Sequence, residues 1–170
     1  MKKICLFILL SVLIFGCKSR EIQDFSSDKT EIKFKGFSDF VIKEDSGEIF
    51  NAYDEDFGFL IQKIWYDDLD SNTNFIKILN EKTQQIALEK KINISVQNSN
   101  DFQTNTLTGI YFSGAGDGKG IYWIFGVCEP SYAVKDEFCY FFVISYTEKS
   151  ELEAKEVILK SIETSAKPAM

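Results

Sequence analysis

The chain has no histidine among its 170 residues, which restricts the chemistry that its side chains can perform. Without imidazole there is no serine–histidine triad, no histidine metal ligand and no general base with an ordinary pKa near neutrality. A thiol nucleophile at Cys128 or Cys139 would need another base. Carboxylates are plentiful, so a carboxylate-based hydrolase is the alternative to a non-catalytic protein. Most of these carboxylates fall in predicted turns and on helix faces, where solvation explains them, and we predict no catalytic residue.

Two polar segments have compositions that suggest a ligand site. Gly114, Gly116, Gly118 and Gly120 alternate as in a phosphate loop, but they lie between two predicted strands, whereas a phosphate loop opens a helix. We interpret them as a hairpin turn. The acidic segment Asp67–Asn74 has oxygen ligands for calcium without the spacing of a calcium-binding loop, and we predict a helix entry there. The sequence therefore predicts no metal ion and no cofactor.

The amino terminus has the pattern of an exported protein. Lys2 and Lys3 precede a run, residues 4–15, that is apolar except at Ser11. This run suits the core of a signal peptide and is too short for a membrane span, which needs about 20 residues. It ends at Gly16-Cys17, which resembles the lipobox of bacterial lipoproteins, where the cysteine is acylated. We predict a lipoprotein signal peptide over residues 1–16 and lipidation of Cys17; an ordinary signal peptide or an uncleaved anchor are the alternatives.

The charge of the mature chain limits its partners. Removal of residues 1–16 leaves 17 basic residues against 26 acidic ones, a formal charge of −9. Nucleic-acid-binding surfaces are basic, so we expect no nucleic acid as a partner. The membrane would be held through the N-terminal lipid, which needs more than one acyl chain for stable attachment. We expect a membrane-anchored protein of the bacterial cell envelope, on the periplasmic side or at the cell surface.

Export would place Cys128 and Cys139 in an oxidising compartment, where disulfides persist. The two residues flank the loop from Glu129 to Phe138, between two predicted antiparallel strands. If this hairpin is symmetric, they lie nearly opposite, at a Cα separation of about 4.5–5.5 Å that a disulfide can bridge. We predict a disulfide between them. Two buried free thiols are the alternative, and a register shift of one residue would favour them.

Hydrophobic periodicity predicts a tether, one globular domain and a short tail. The acylated Cys17 and a flexible tether occupy residues 17–29, the domain residues 30–164 and a disordered tail residues 165–170. A helix is predicted from about Thr73 to Glu89, and a second after a capping box at Ser150 and Glu153. The seven predicted strands cover residues 32–35, 49–53, 57–66, 92–96, 107–113, 121–125 and 138–144.

This order of elements, three strands, a helix, four strands and a helix, predicts an α+β fold with a mostly antiparallel sheet of about seven strands and two main helices packed on it. With Leu107–Tyr111 leading into the glycine-rich turn and Val143–Tyr146 leading into the last helix, the chain resembles the PsbP-like superfamily. That group includes the extrinsic photosystem protein and bacterial envelope lipoproteins of the DcrB kind. A cystatin-like or nuclear-transport-factor-like curved sheet is the alternative. The resemblance carries over no site residue.

Four aromatic residues could form an apolar binding surface: Trp65, Tyr66, Tyr122 and Trp123. They could equally be core and sheet surface, because alternate strand residues face opposite sides. Together with the missing histidine, the resemblance favours a lipid-anchored, non-enzymatic module that binds an envelope protein or an apolar ligand.

Overall fold

A computed structural model describes residues 20–70, 73–94, 98–116, 118–131 and 137–166. Within these residues, ten strands form two antiparallel sheets. The strands are β1 (Ile22–Ser27), β2 (Ile32–Phe37), β3 (Val41–Asp45), β4 (Ile49–Tyr53), β5 (Phe57–Trp65), β6 (Asn100–Gln103), β7 (Leu107–Gly116), β8 (Ile121–Pro130), β9 (Phe138–Thr147) and β10 (Glu163–Thr164). Helix α1 (Phe75–Lys90) follows a 3-10 turn at Tyr66–Asp68. The C-terminal helical segment α2, residues 148–161, comprises Glu148–Ser150, Glu151–Glu153, Ala154–Ile158 and Leu159–Ser161.

Strand β9 lies at the centre of the larger sheet, whose order is β3-β4-β5-β9-β8-β7-β6. Its residues are mostly aromatic or β-branched and are buried on both faces along most of the strand, as such side chains favour. On one side of β9, hairpins join β3 to β4 and β4 to β5; on the other side, they join β6 to β7 and β7 to β8. Helix α1 lies in the long connection from β5 to β6. The predicted α+β class, with a seven-stranded antiparallel sheet and two main helices, is confirmed.

The larger sheet separates two hydrophobic layers. On one face, the small sheet β1-β2-β10 and α2 cover a phenylalanine-rich core, in which the rings of Phe34 and Phe59 lie 4.3 Å apart. The Tyr140 hydroxyl ties the two sheets together, because it lies 3.0 Å from the Thr30 carbonyl oxygen. On the other face, α1 packs against β7, β8 and β9.

Helix α1 confirms the predicted helix, but the predicted acidic entry is wrong, because the first turn of α1 contains no acidic residue. The Asn74 side chain accepts a hydrogen bond of 2.9 Å from the Lys77 amide, which satisfies a free donor of the first turn. Lys91, at a φ of 56°, ends the helix in the left-handed conformation. Ile78 and Leu79 are buried against the sheet. Among the described residues, no helix is long and apolar enough to cross a bilayer.

The flexible tether predicted up to residue 29 is wrong for its second half, because residues 22–27 form strand β1. This strand pairs with β2, with Phe25 opposite Phe34. The Phe25 ring is buried and stacks on Phe34 at 5.2 Å, and the apolar area removed from water favours strand over coil. At the other end, Ala166 is buried, so the folded part extends beyond residue 164. Residues 1–19, including Cys17 and the signal peptide, and residues 167–170 lie outside the described part.

Two local predictions are also corrected. Ile92 to Ile94 are not a strand; the strand in this region is β6, and residues 95–97 lie outside the described part. The capping box at the start of α2 does not form, because the Ser150 side chain makes no cap hydrogen bond and instead accepts one from the Thr147 hydroxyl at 3.1 Å. β7 and β8 form a hairpin as predicted. Gly118 and Gly120, between the two strands, have positive φ, and Gly114 has positive φ where the register shifts within β7.

Candidate functional site

A row of side chains crosses the face of the larger sheet on which α1 lies. Tyr53 of β4 is opposite Gly58 of β5, Gly58 is opposite Ser145 of β9, and Ser145 is opposite Trp123 of β8. Directly paired residues point to the same side of a sheet, so all four positions belong to one face. The row therefore has two small residues between two aromatic ones.

The small residues at the centre of this row leave a hollow in the sheet surface. A Cβ atom added at Gly58 would lie 2.5 Å from the Ser145 hydroxyl oxygen, so glycine is what allows the serine side chain its position. Leu60 and Val143, one row further along β5 and β9, continue the floor with apolar surface. The result is a concave floor rather than a flat sheet.

Helix α1 forms one wall of this hollow, which we call the α1 groove. Its last turns contribute Ile86, Glu89 and Lys90, and strand β4 contributes Asn51 and Tyr53 on the other side. The cavity has a volume of about 360 Å³, within the range of about 300–1,000 Å³ typical of small-ligand sites. An apolar floor with a few polar groups at the rim suits an apolar ligand or an apolar side chain of a partner.

Trp123, which lines the groove, has a buried polar atom. Its indole Nε1 is shielded from solvent and makes no hydrogen bond to the residues that the structure describes. A buried donor without an acceptor costs about 1–3 kcal/mol.

A larger depression of about 1,000 Å³ lies elsewhere, between β1, β2 and helix α2. Its lining is rich in charged side chains of both signs: Asp24, Lys33, Lys35, Glu156, Lys160 and Glu163. Solvated charges explain this lining, and none of the buried unpaired polar atoms found in the described residues lines it. The α1 groove is therefore the better candidate site.

The four aromatic residues predicted to form an apolar surface do not lie together. Trp65 and Tyr66 lie at one end of the larger sheet, where β5 ends, and Tyr122 and Trp123 lie at the opposite end, where β8 begins. Within each pair the two residues belong to opposite layers, because neighbours along an extended chain alternate in direction. Of the four, Trp123 lines the α1 groove.

The residues of the groove that sequence reasoning missed are Tyr53, Gly58 and Ser145. A signal for them exists in the sequence, because Gly58 and Ser145 are small residues inside strands of otherwise large side chains. A glycine within a strand often marks a close approach by another group. The pairing of these positions, however, depends on the register of β5 with β9.

The predicted disulfide between Cys128 and Cys139 does not form; both are buried free thiols. The register places Cys128 opposite Tyr140, one residue away from the symmetric arrangement. Cys128 therefore belongs to the layer covered by the small sheet and Cys139 to the α1 layer. Opposite faces of a sheet cannot be joined by a disulfide of ordinary geometry.

Neither thiol has the properties of a nucleophile. Burial raises the pKa of Cys128 well above its usual value, and the nearby Cys139 raises it further. Burial likewise raises the pKa of Cys139 to about 12, although its hydrogen bond with Tyr66 acts in the opposite direction. A thiol needs a lowered pKa to react as thiolate at neutral pH. In the described part of the chain, no cluster of three side chains could hold a metal ion.

No known protein family and no curated protein sequence matches the chain. Solved structures do match its fold. Cyanobacterial PsbP (CyanoP) from Synechocystis sp. PCC 6803 superimposes with a TM-score of 0.59 at 11% identity, covering 88% of this chain and 95% of CyanoP. The Ran-binding protein Mog1p of Saccharomyces cerevisiae superimposes with a TM-score of 0.52 at 7% identity, covering 86% of this chain and 97% of Mog1p. The chain thus has a PsbP-like fold, as predicted.

Proposed function

We propose that this chain is a lipid-anchored protein of the bacterial cell envelope that acts without catalysis as a binding module, and that the α1 groove binds its ligand. The observation that carries the binding role is the row Tyr53–Gly58–Ser145–Trp123, in which two small residues open a cavity between two aromatic walls. The ligand class that fits is apolar: an acyl chain or ring, or an apolar side chain of an envelope protein.

Two observations support a binding role over catalysis. The thiols are buried with raised pKa values, and the chain has no histidine. The PsbP-like fold is shared with Mog1p, whose name describes a binding protein.

The anchor is supported by the sequence pattern that ends at Gly16-Cys17. Replacing Cys17 with alanine should release the protein from the membrane fraction or leave its signal peptide uncleaved. The measurement is fractionation of cells that express each form, with the mass of the mature N-terminus determined. A Cys17→Ala protein that matures normally and stays in the membrane would refute the lipid anchor.

The groove is tested by titrating the ¹⁵N-labelled chain that starts at Lys18 with dodecanoate. The chain has two tryptophans and therefore two indole N–H resonances, which report on the two ends of the sheet separately. Binding in the α1 groove should shift the Trp123 indole resonance and leave that of Trp65 in place. Equal shifts of the two resonances, or no shift of Trp123 up to the solubility of dodecanoate, would contradict the proposal.

A further inference from the structure

Arg20 fastens the start of the folded chain to one end of the larger sheet. Its Nη2 donates to Asp39 Oδ1 at 2.8 Å and to Asp54 Oδ2, and Nη1 lies 3.6 Å from Asp56 Oδ2. Asp54 and Asp56 belong to the turn between β4 and β5. Arg20, two residues before β1, is thus held by three carboxylates, two of which belong to the β4–β5 turn of the larger sheet.

The aromatic surroundings of Arg20 make this a fixed contact. The Arg20 Cζ atom lies 4.2 Å from the centroid of the Phe37 ring and 5.2 Å from that of Phe57, both within cation–π range. The Asp54 side chain is 4% exposed. Its carboxylate also accepts hydrogen bonds from the Asp56 and Phe57 amides, so the turn orients it for Arg20. A partly buried guanidinium with these partners does not behave as part of a flexible tether.

The α1 groove lies at the same end of the sheet as the Arg20 contact but on the opposite face, because Phe37 and Phe57 belong to the phenylalanine-rich layer and Trp123 to the α1 layer. Tyr53 immediately precedes the turn that holds Arg20, and Gly58 is two residues beyond Asp56, about 7 Å along the strand. Trp65 is seven residues further along β5, about 23 Å from the row that contains Gly58 and Trp123. The two tryptophans therefore mark opposite ends of the sheet.

We propose that Arg20 orients the anchored domain so that the end of the larger sheet that carries the α1 groove faces the bilayer. This inference rests on the proposed lipidation of Cys17. Arg20 follows Cys17 by three residues, which span about 10 Å at most when fully extended. With Arg20 fixed, this end of the domain lies next to the headgroups and the Trp65 end lies away from them.

Tryptophan quenching in vesicles tests this orientation with the full acylated protein. The vesicles consist of phosphatidylcholine, a fraction of which carries a spin label on the headgroup. A zwitterionic lipid is chosen because Asp39 and Asp56 are exposed at this end, and an anionic surface would repel their carboxylates. The variant Trp65→Phe leaves Trp123 as the reporter, and Trp123→Phe leaves Trp65. If Trp123→Phe does not fold, the wild-type emission minus that of Trp65→Phe reports Trp65.

The proposal predicts loss of most Trp123 emission and retention of Trp65 emission. Replacing Arg20 with alanine, in the Trp65→Phe background, should reduce the quenching of Trp123 only in part, because the Glu21 carbonyl, which accepts a hydrogen bond from the Ser38 amide, still holds the next residue. Equal quenching of the two tryptophans, stronger quenching of Trp65, or no quenching of either would overturn the orientation. Flotation with the vesicles is measured in each sample: a protein that does not float refutes the anchor, whereas a floating protein with unquenched Trp123 refutes the orientation.

Discussion

Trp123 of β8 lies directly opposite Ser145 of β9, on the face of the sheet that α1 covers in part. The small serine and the neighbouring Gly58 leave room for a cavity beside the indole ring, which also packs against the α1 layer. The same face beneath the middle of α1 is closed by Phe125, Phe141 and Leu79. The groove is therefore a local departure from a packed sheet surface.

Packing at the centre of the sheet predicts a large effect of one methyl group at Gly126. A Cβ atom there would lie 2.1 Å from Cζ of the Phe142 ring, which faces it across β8 and β9. Gly126→Ala should lower the free energy of unfolding by about 1–3 kcal/mol, because the ring must move in a filled core. The loss is measured from urea unfolding curves monitored by circular dichroism.

Gly116→Ala is the matched control, since an added Cβ meets its nearest neighbour at an ordinary 3.5 Å and the position is exposed. This variant should be unchanged or more stable by up to about 1 kcal/mol. Equal losses in the two variants would show that the close contact with Phe142 is not the cause.

The ion pair of Lys63 with Glu31 predicts a cost for removing the carboxylate alone. The Lys63 side chain is 6% exposed, and its Nζ lies 2.5 Å from Glu31 Oε2 and 3.9 Å from the centroid of the Phe138 ring. Glu31→Gln should destabilise the protein by about 1–3 kcal/mol, because a buried ammonium loses its counter-charge. Lys63→Met with Glu31→Gln should recover part of this loss; a double variant as unstable as Glu31→Gln would contradict the explanation.

The Arg20 contact predicts a pH dependence through Asp39. The hydrogen bond from Arg20 lowers the pKa of Asp39 in the folded chain below its ordinary value of 3.8. A lowered folded-state pKa stabilises the fold above the unfolded value, and this stabilisation is lost as the pH falls through the folded pKa. A carboxyl ¹³C titration should therefore show a higher pKa for Asp39 in Arg20→Ala than in the wild type. An identical titration in the two proteins would exclude the contact.

The raised pKa values of the two thiols predict low reactivity in the folded protein. At about pH 8, alkylation should modify neither Cys128 nor Cys139 in the native chain and should modify both after denaturation without reductant. Burial raises the pKa of Cys139 from 9.0 to about 12, so the unfolded thiol ionises first and the free energy of unfolding should fall as the pH rises from 9 to 12. If the two cysteines can be alkylated only after reduction, they form a disulfide and the free-thiol assignment is wrong.

Much of the larger sheet can be predicted from the sequence, because its central strands have the composition typical of buried β-strands. β5, β8 and β9 are long aromatic and β-branched segments, and α1 has an apolar stripe. Strand β1 is not readable in this way, since IQDFSS has the composition of a linker. It forms a strand because the Phe25 ring stacks on Phe34, its partner in the β1–β2 pair, and also contacts the Phe40 ring.

The candidate site was harder to predict than the fold because it depends on register. A shift of one residue separates the symmetric hairpin that would bridge Cys128 and Cys139 from the observed pairing of Cys128 with Tyr140. The loop that sets this register is polar and carries no signal for its length. The groove likewise depends on where α1 crosses the sheet, a tertiary property that periodicity within one segment does not contain.

Quenching of Trp123 by a brominated fatty acid tests the central claim, binding in the α1 groove, most directly. In the chain from Lys18 with Trp65→Phe, added dibromostearate should quench the emission in a saturable manner. Adding Ser145→Phe, which fills the floor of the groove, should abolish the saturable quenching, whereas Ser26→Phe on the exposed face of β1 should leave it unchanged. Saturable quenching that persists in Ser145→Phe, or none in the parent chain, would contradict the account.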